Sequence, residues 1–185
     1  EITTRLVGSE MCIRDRYEEA KEVLDKYIDD LVVVGLKQAT IIHGYGTGVI
    51  RELVQNFLKN NKNIIFPNII LGDTRICEDV QMGKGCIISM DARISTNVTL
   101  GSFIFMNTGS KVCHDGKLGN YVTLSPDVTL AGNVIVGDNT EIGMGANVIQ
   151  GITIGTNTVI GAGSVVVRDV EDHCKAAGVP AKAFR

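Results

Sequence analysis

The chain has 185 residues, enough for one large domain or two small ones, and its 18 Lys and Arg against 21 Asp and Glu leave a formal net charge of −3. That near balance argues against a dedicated nucleic-acid surface, and no apolar run approaches the roughly 20 residues that span a bilayer. Trp is absent, aromatics are 5% of the chain and there are 21 glycines, which fits a repetitive fold of small and aliphatic side chains better than an ordinary globule. Cys12, Cys77, Cys86, Cys113 and Cys174 are odd in number and contain no CxxC pair, so neither a disulfide framework nor a zinc site is expected. The simplest compartment is a reducing cytoplasm. The first residues lack a basic stretch leading into an apolar core, so no signal peptide is expected.

Residues 1–16, "EITTRLVGSEMCIRDR", show no helical or strand period. The words "LVGSEMCIRDR" resemble translated sequencing-adapter sequence. This segment is read as unstructured and artefactual, and no function is assigned to it.

Residues 17–63 have a different character. Ala20, Val23, Leu24, Tyr27, Ile28, Leu31 and Val32 recur at three- and four-residue spacing, which predicts an amphipathic helix ended by Gly35. "ATIIHG" (39–44) predicts a short strand and "GYGTG" a glycine loop. Val49, Ile50, Leu53, Val54, Phe57 and Leu58 then predict a second helix. This order, together with the word "HGYGTGVIRE", resembles the Smr domain found at the C-terminus of MutS-type proteins. The resemblance matches His43, Gly44, Gly46, Thr47 and Gly48 to the family motif. A glycine loop opening a helix can offer backbone N–H groups to a phosphate, and Arg51 could add charge. The bland alternative is a tight strand-to-helix turn. The opening strand with its "DLRG" word and the closing strand of the family are not matched, so the piece is read as a truncated Smr-like α/β fragment without nuclease activity. No physical reason joins it to the remainder of the chain. The expectation is a chimeric assembly joined near residues 64–67, which long reads across that junction in the source DNA would test.

From Pro67 the period becomes six. Ile70, Ile76, Met82, Ile88, Ile94, Leu100, Met106, Val112, Leu118, Leu124, Leu130, Val136, Ile142, Val148, Ile154, Ile160 and Val166 form an unbroken series. Three residues after each stands Asp, Asn or Gly, apart from Phe103 and Tyr121. Four residues after each comes a small or β-branched side chain. The pattern predicts one short strand and one turn per hexad, with the aliphatic inward and the Asx or Gly in the left-handed turn. Three hexads make a triangular coil of 18 residues, and coils stacked at the sheet spacing of roughly 4.8 Å enclose an aliphatic column. The periodicity leaves handedness open.

Residues 65–185 resemble the hexapeptide-repeat acyltransferases, and most closely the sialic-acid O-acetyltransferase group (NeuD-like, with the bacillosamine N-acetyltransferases). The matching words are "NTGSKVCHDGKLGNYVTLSP", "LAGNVIVG", "IGMGANVIQGITIG", "VIGAGSVVVRDV" and "GVPAK". The resemblance implies a mainly β chain whose residues 64–185 form a left-handed parallel β-helix of about six coils. It also implies a homotrimer with acetyl-CoA as co-substrate. It matches His114 to the family's general base and Asp115 to its acidic neighbour, on a coil rim facing a cleft between two subunits. An imidazole titrates near working pH and can take the proton of an attacking hydroxyl or amine, and a carboxylate beside it can orient the ring. The turn phase half explains Asp115, whereas nothing in the repeat calls for an imidazole at 114. Thr123, Met144 and Ala162 fall at the family's donor positions. Gly143 and Gly161 could let the pantetheine arm approach, and Lys182 could meet the CoA phosphates; plain turn glycines and a solvated tail are the alternatives. No metal is expected, because a lone coil histidine cannot supply a three-ligand set.

The leading expectation is an acetyl-CoA-dependent acetyltransferase acting on a hydroxyl or amine of a sugar or nucleotide sugar. The alternatives are a nucleic-acid-binding or endonuclease fragment in residues 17–63 and a non-catalytic β-helix scaffold. No nucleic-acid or membrane partner is expected. Relatives usually carry an N-terminal α/β domain that holds the sugar nucleotide, and residues 17–63 do not match it.

Overall fold

The computed structural model describes residues 66–184 together with strands β1 (Thr3–Arg5) and β2 (Thr40–Ile42). The chain divides into two compact units, Glu1–Ile65 and Phe66–Arg185. In the first, β1 pairs parallel with β2, with Thr4 opposite Ile41. The strand expected within 39–44 is therefore there. The reading of residues 1–16 as unstructured is corrected at Thr3–Arg5. A three-residue strand is too short to show a period, and β-branched Thr3 and Thr4 suit an extended backbone. The two helices expected around residues 20–34 and 49–58 lie outside the described residues, as do His43, Gly44, Gly46, Thr47, Gly48 and Arg51.

The second unit is a parallel β-solenoid of about six coils with three faces. The first face stacks Ile69–Ile70, Ile87–Ile88, Phe105–Met106, Thr123–Leu124, Glu141–Ile142 and Val159–Ile160. The second stacks Arg75–Ile76, Arg93–Ile94, Lys111–Val112, Thr129–Leu130, Asn147–Val148 and Val165–Val166. The third stacks Gln81–Met82, Thr99–Leu100, Lys117–Leu118, Ile135–Val136 and Thr153–Ile154. Each strand pairs with the one 18 residues on, as Lys111 does with Thr129 and Val112 with Leu130. The backbone is satisfied from coil to coil: Lys111 N–H donates to the Val128 carbonyl (2.8 Å) and Cys113 N–H to that of Leu130 (2.9 Å).

The second residue of each pair points inward. From Ile88 to Val166 these side chains are buried and form one column. Ile70, in the first coil, is 52% exposed, and Ile76 and Met82 are only partly buried. Among the described residues the first rung has neighbours on one side only, so the hexad rule predicts the direction of these side chains but not their burial.

Every sixth residue from Gly85 to Gly163 has a positive φ, among them Asp91, Asn97, Asp115, Asn133 and Asn139. This is the turn phase the sequence predicts. Phe103 and Tyr121, the two exceptions in residue type, obey it with φ of 59° each. Left-handed geometry costs a bulky residue about 1–2 kcal/mol. Their rings stack 5.1 Å apart at 6°, and Phe66 meets Phe103 edge-on at 5.0 Å, contacts worth about 0.5–1.5 kcal/mol each. The expectation fails at the ends of the tract. Gly72 takes the left-handed turn in place of Asp73, and Asp79 and Asp169 lie outside the positive-φ set. Their carboxylates bind the backbone instead: Asp79 accepts from Asn97 N–H (2.8 Å) and Asp169 from Thr153 N–H (2.8 Å).

The six-residue register stops after Val166. Val170 bridges to Ile154, and a terminal hairpin, Lys175–Gly178 with Ala181–Phe184, extends the first face.

Candidate active site

His114 stands at the corner between the second and third faces. Its rung neighbours, 18 residues either way, are Thr96 and Gly132; those of Asp115 are Asn97 and Asn133. The corner is held from rung to rung, with Asp115 N–H donating to the Thr96 carbonyl (3.1 Å) and Asn133 N–H to that of His114 (2.9 Å). Asp115 takes the left-handed turn with φ of 61°. Its Oδ2 lies 2.7 Å from His114 Nδ1, and its Oδ1 accepts from Asn97 Nδ2 at 2.6 Å. The bond to His114, and after it the bond to Asn97, holds the Asp115 carboxyl below the ordinary carboxylate range. It is therefore ionised at neutral pH and can only accept. His114 Nδ1 must carry the hydrogen, which leaves Nε2 as the free acceptor of a neutral imidazole. The side chains are 48% and 39% exposed, so the ring is braced on one edge and open to solvent on another.

Gly132 supplies the seat of the ring. A Cβ built there would come within 2.3 Å of His114 Cε1 and 2.4 Å of Nε2, so any side chain at 132 would occupy the space of the imidazole. Asn97 and Gly132 are the two residues that sequence reasoning missed. Their signal is the 18-residue spacing from Asp115 and His114.

The residues expected to hold the donor lie elsewhere on the chain. Thr123 is buried on the first face, opposite Glu141. Met144 and Ala162 are successive rungs of the corner between the first and second faces, tied by the Gly163 N–H bond to the Met144 carbonyl (2.8 Å). Met144 is exposed. Gly143 and Gly161 precede them, and rung packing accounts for both glycines. A Cβ at 143 would lie 2.5 Å from Ala162 N, and one at 161 would lie 2.7 Å from Ala177 Cβ. Lys182 pairs with Ala177 in the terminal hairpin beside Gly161. Thus Gly143, Met144, Gly161, Ala162 and Lys182 form one strip. His114 and Asp115 form a second site, and the whole second face separates the two on a single chain.

Among the described residues no group of three His, Cys, Asp or Glu is placed to hold a metal ion, and no helix is long and apolar enough to cross a membrane.

The family model for bacterial transferase hexapeptide repeats matches residues 133–168, and the Smr domain model matches residues 13–67. The Smr match takes in Ile13–Arg16, which the sequence reading left outside it, and passes the boundary expected at 63. The structure of PerB from Caulobacter crescentus in complex with CoA and GDP-perosamine is 34% identical with a TM-score of 0.78, covering 87% of this chain and 76% of that one. The acetyltransferase domain of PglB from Neisseria gonorrhoeae, in complex with acetyl coenzyme A, is 29% identical with a TM-score of 0.73, covering 83% of this chain and 76% of that one. Endonuclease MutS2 of Lactobacillus johnsonii is 52% identical over 58 residues, 31% of this chain, and the chain spans 7% of that relative's length. The three-sided stack of hexads and the likeness to PerB define the class, the hexapeptide-repeat acyltransferases, and the chain belongs to the sugar acetyltransferases within it.

Proposed function

We propose that the chain is an acetyl-CoA-dependent acetyltransferase acting on an amine or hydroxyl of a sugar or nucleotide sugar, with His114 as general base. The observation that carries this reading is the His114 Nδ1–Asp115 Oδ2 contact of 2.7 Å, which leaves Nε2 free at an exposed corner. The bound GDP-perosamine of PerB favours a nucleotide-linked acceptor, and the N-acetyl transfer named for that protein favours an amine. His114 Nε2 takes a proton from the acceptor as its nitrogen or oxygen attacks the thioester carbonyl, and returns it to the departing CoA sulfur. Asp115 keeps the ring in the tautomer this requires and stabilises the imidazolium that forms.

The reading includes a homotrimer. One chain holds the base and the donor strip at opposite edges of its second face, so a cleft between two copies is what joins them. The outward side chains of the first face, with Ile69 40% and Ile87 39% exposed, offer an apolar surface for a second copy. A reducing cytoplasm accords with Cys77, Cys86, Cys113 and Cys174 as free thiols.

The test is calorimetric titration of the full chain with acetyl-CoA, followed by turnover with a GDP-linked amino sugar in wild type and His114→Ala. Micromolar binding at one site per subunit, a mass three times 19.9 kDa and loss of turnover in the variant are expected. Unchanged turnover in His114→Ala would remove the base from the mechanism. A second reading, nucleic-acid binding through His43, Gly44, Gly46, Thr47, Gly48 and Arg51, rests on the Smr match alone. A plasmid-nicking assay checks it.

A further inference from the structure

The second face carries an unneutralised column of positive charge. Arg75, Arg93 and Lys111 are the outward residues of its first three rungs, paired in register as Arg75 with Arg93 and Arg93 with Lys111. Parallel strands set successive rungs about 4.8 Å apart, so three cations fall within about 10 Å. Like charges directly opposite on neighbouring strands destabilise a sheet. None of the three makes an ion pair or side-chain hydrogen bond among the described residues. Asp73 and Asp91, two residues upstream of Arg75 and Arg93, form no ion pair with them. The cations line an open groove of about 580 Å³ whose lining contains no acidic residue. Cys77, Ser95 and Cys113 also line it, over the strands that carry the inward-pointing Ile76, Ile94 and Val112. Thr129 occupies the next outward position, so the charge stops on the rung of Lys111.

The geometry points to a diphosphate-binding groove on the second face, held by Arg75, Arg93 and Lys111. A column of cations at strand spacing suits two linked phosphates, each able to bridge neighbouring rungs. The arginines can meet phosphate oxygens with two N–H groups and the lysine as a point charge. Pyrophosphate esters have two sources in the proposed reaction, the nucleotide-linked acceptor and CoA. The structure favours the acceptor. The groove ends at Cys113, one residue before His114 and on the same rung, whereas the donor strip lies two to three rungs higher along another corner. A diphosphate seated on Arg93 and Lys111 would direct its attached sugar along the strand toward the ring of His114. The choice of source rests on the acetyltransferase reading; the phosphate groove itself does not.

The test uses inorganic pyrophosphate as the probe, titrated calorimetrically into the full chain, wild type and Arg93→Gln. At least tenfold weaker binding in Arg93→Gln is expected, with retention in Lys111→Arg and loss in Lys111→Gln. Affinity should fall with added salt, because these cations are exposed to screening ions. All three side chains point outward, so circular dichroism should match wild type, and the melting temperature should hold or rise slightly as like charges are removed. Pyrophosphate affinity unchanged in Arg93→Gln and Lys111→Gln would overturn the groove. Kinetics then separate the sources. A raised KM for the GDP-linked amino sugar, with acetyl-CoA affinity intact, assigns the groove to the acceptor; the reverse assigns it to CoA, and both keep the phosphate site. Because pyrophosphate binding needs no turnover, an inactive His114→Ala or a wholly inactive chain leaves this result readable.

Discussion

The seat beneath the imidazole gives the sharpest test of the site. In Gly132→Ala the new methyl carbon would stand 2.3 Å from His114 Cε1. Carbon–carbon contact needs about 3.5 Å, so the ring must withdraw by roughly 1 Å or turn about χ1. Either motion lengthens the 2.7 Å bond to Asp115 and moves Nε2 away from the proton it is to take. A misplacement of about 1 Å costs on the order of 100-fold in rate. The fold should hardly register the change. The ring is half exposed and free to move, Gly132 is not among the left-handed residues, and replacing glycine stiffens the unfolded chain by about 0.4–1 kcal/mol in favour of folding. Initial rates should be followed by thioester absorbance rather than a thiol reagent, since Cys77 is exposed. The expected result is a kcat about 100-fold lower, an unchanged acetyl-CoA affinity and a melting temperature within a few degrees of wild type. In the His114→Ala background the same substitution should cost nothing further, because residues acting as one unit are not additive. A wild-type rate in Gly132→Ala would refute the seat, and an equal loss in both backgrounds would show that the methyl acts on the fold rather than on the ring.

The same geometry sets further outcomes. Asp115→Asn should lower kcat roughly 10- to 100-fold with acetyl-CoA affinity intact, since the ring loses the partner that fixes its tautomer. The depressed Asp115 carboxyl contributes stability above the ordinary carboxylate range of about 4 and loses it as pH falls through the lowered value. The difference in melting temperature between wild type and Asp115→Asn should therefore hold from pH 7 to about 4 and close only on further acidification. Leu130→Ala, at a fully buried rung in the middle of the column, should cost about 2–5 kcal/mol in urea denaturation, and Ile70→Ala, half exposed on the first rung, well under half of that. Asn133→Ala should cost about 1–2 kcal/mol for a left-handed alanine, whereas Asn133→Gly should fall within a few tenths of wild type by the same measurement.

The aliphatic column and the turn phase were legible because each hexad repeats one local solution, and side chains at a fixed phase need no tertiary information to be aimed inward. The ends were not legible. Ile70 obeys the pattern yet stands exposed, and Asp79 and Asp169 have the right residue type without the left-handed turn, at rungs that end the described stack or leave the register. His114 could be read as an anomaly against the repeat. Its supports could not be read at the six-residue period, since Asn97 and Gly132 look like ordinary turn residues until the chain is folded at 18. The two donor-strip glycines show the converse. The sequence pattern marks them only as small, and the folded rungs add that a Cβ at either would meet Ala162 or Ala177 of the next rung. Residues 1–16 gave no period from which Thr3–Arg5 could be read, because three residues are too few to carry one.

The rung spacing also sets how such a chain can change length. Thr96 and Asn97, His114 and Asp115, and Gly132 and Asn133 belong to three successive windings and meet only because the same number of residues separates them. Inserting or deleting one residue before His114 without a compensating bulge would slide Asn97 out of register with Asp115, and one after Asp115 would slide Gly132 out from under the ring, while every hexad on either side stayed intact. Duplicating an entire 18-residue winding above Asn133 would leave this corner untouched and lengthen the prism by one step. In this architecture the winding, rather than the residue, is the unit that can be gained or lost without disturbing the contacts around His114.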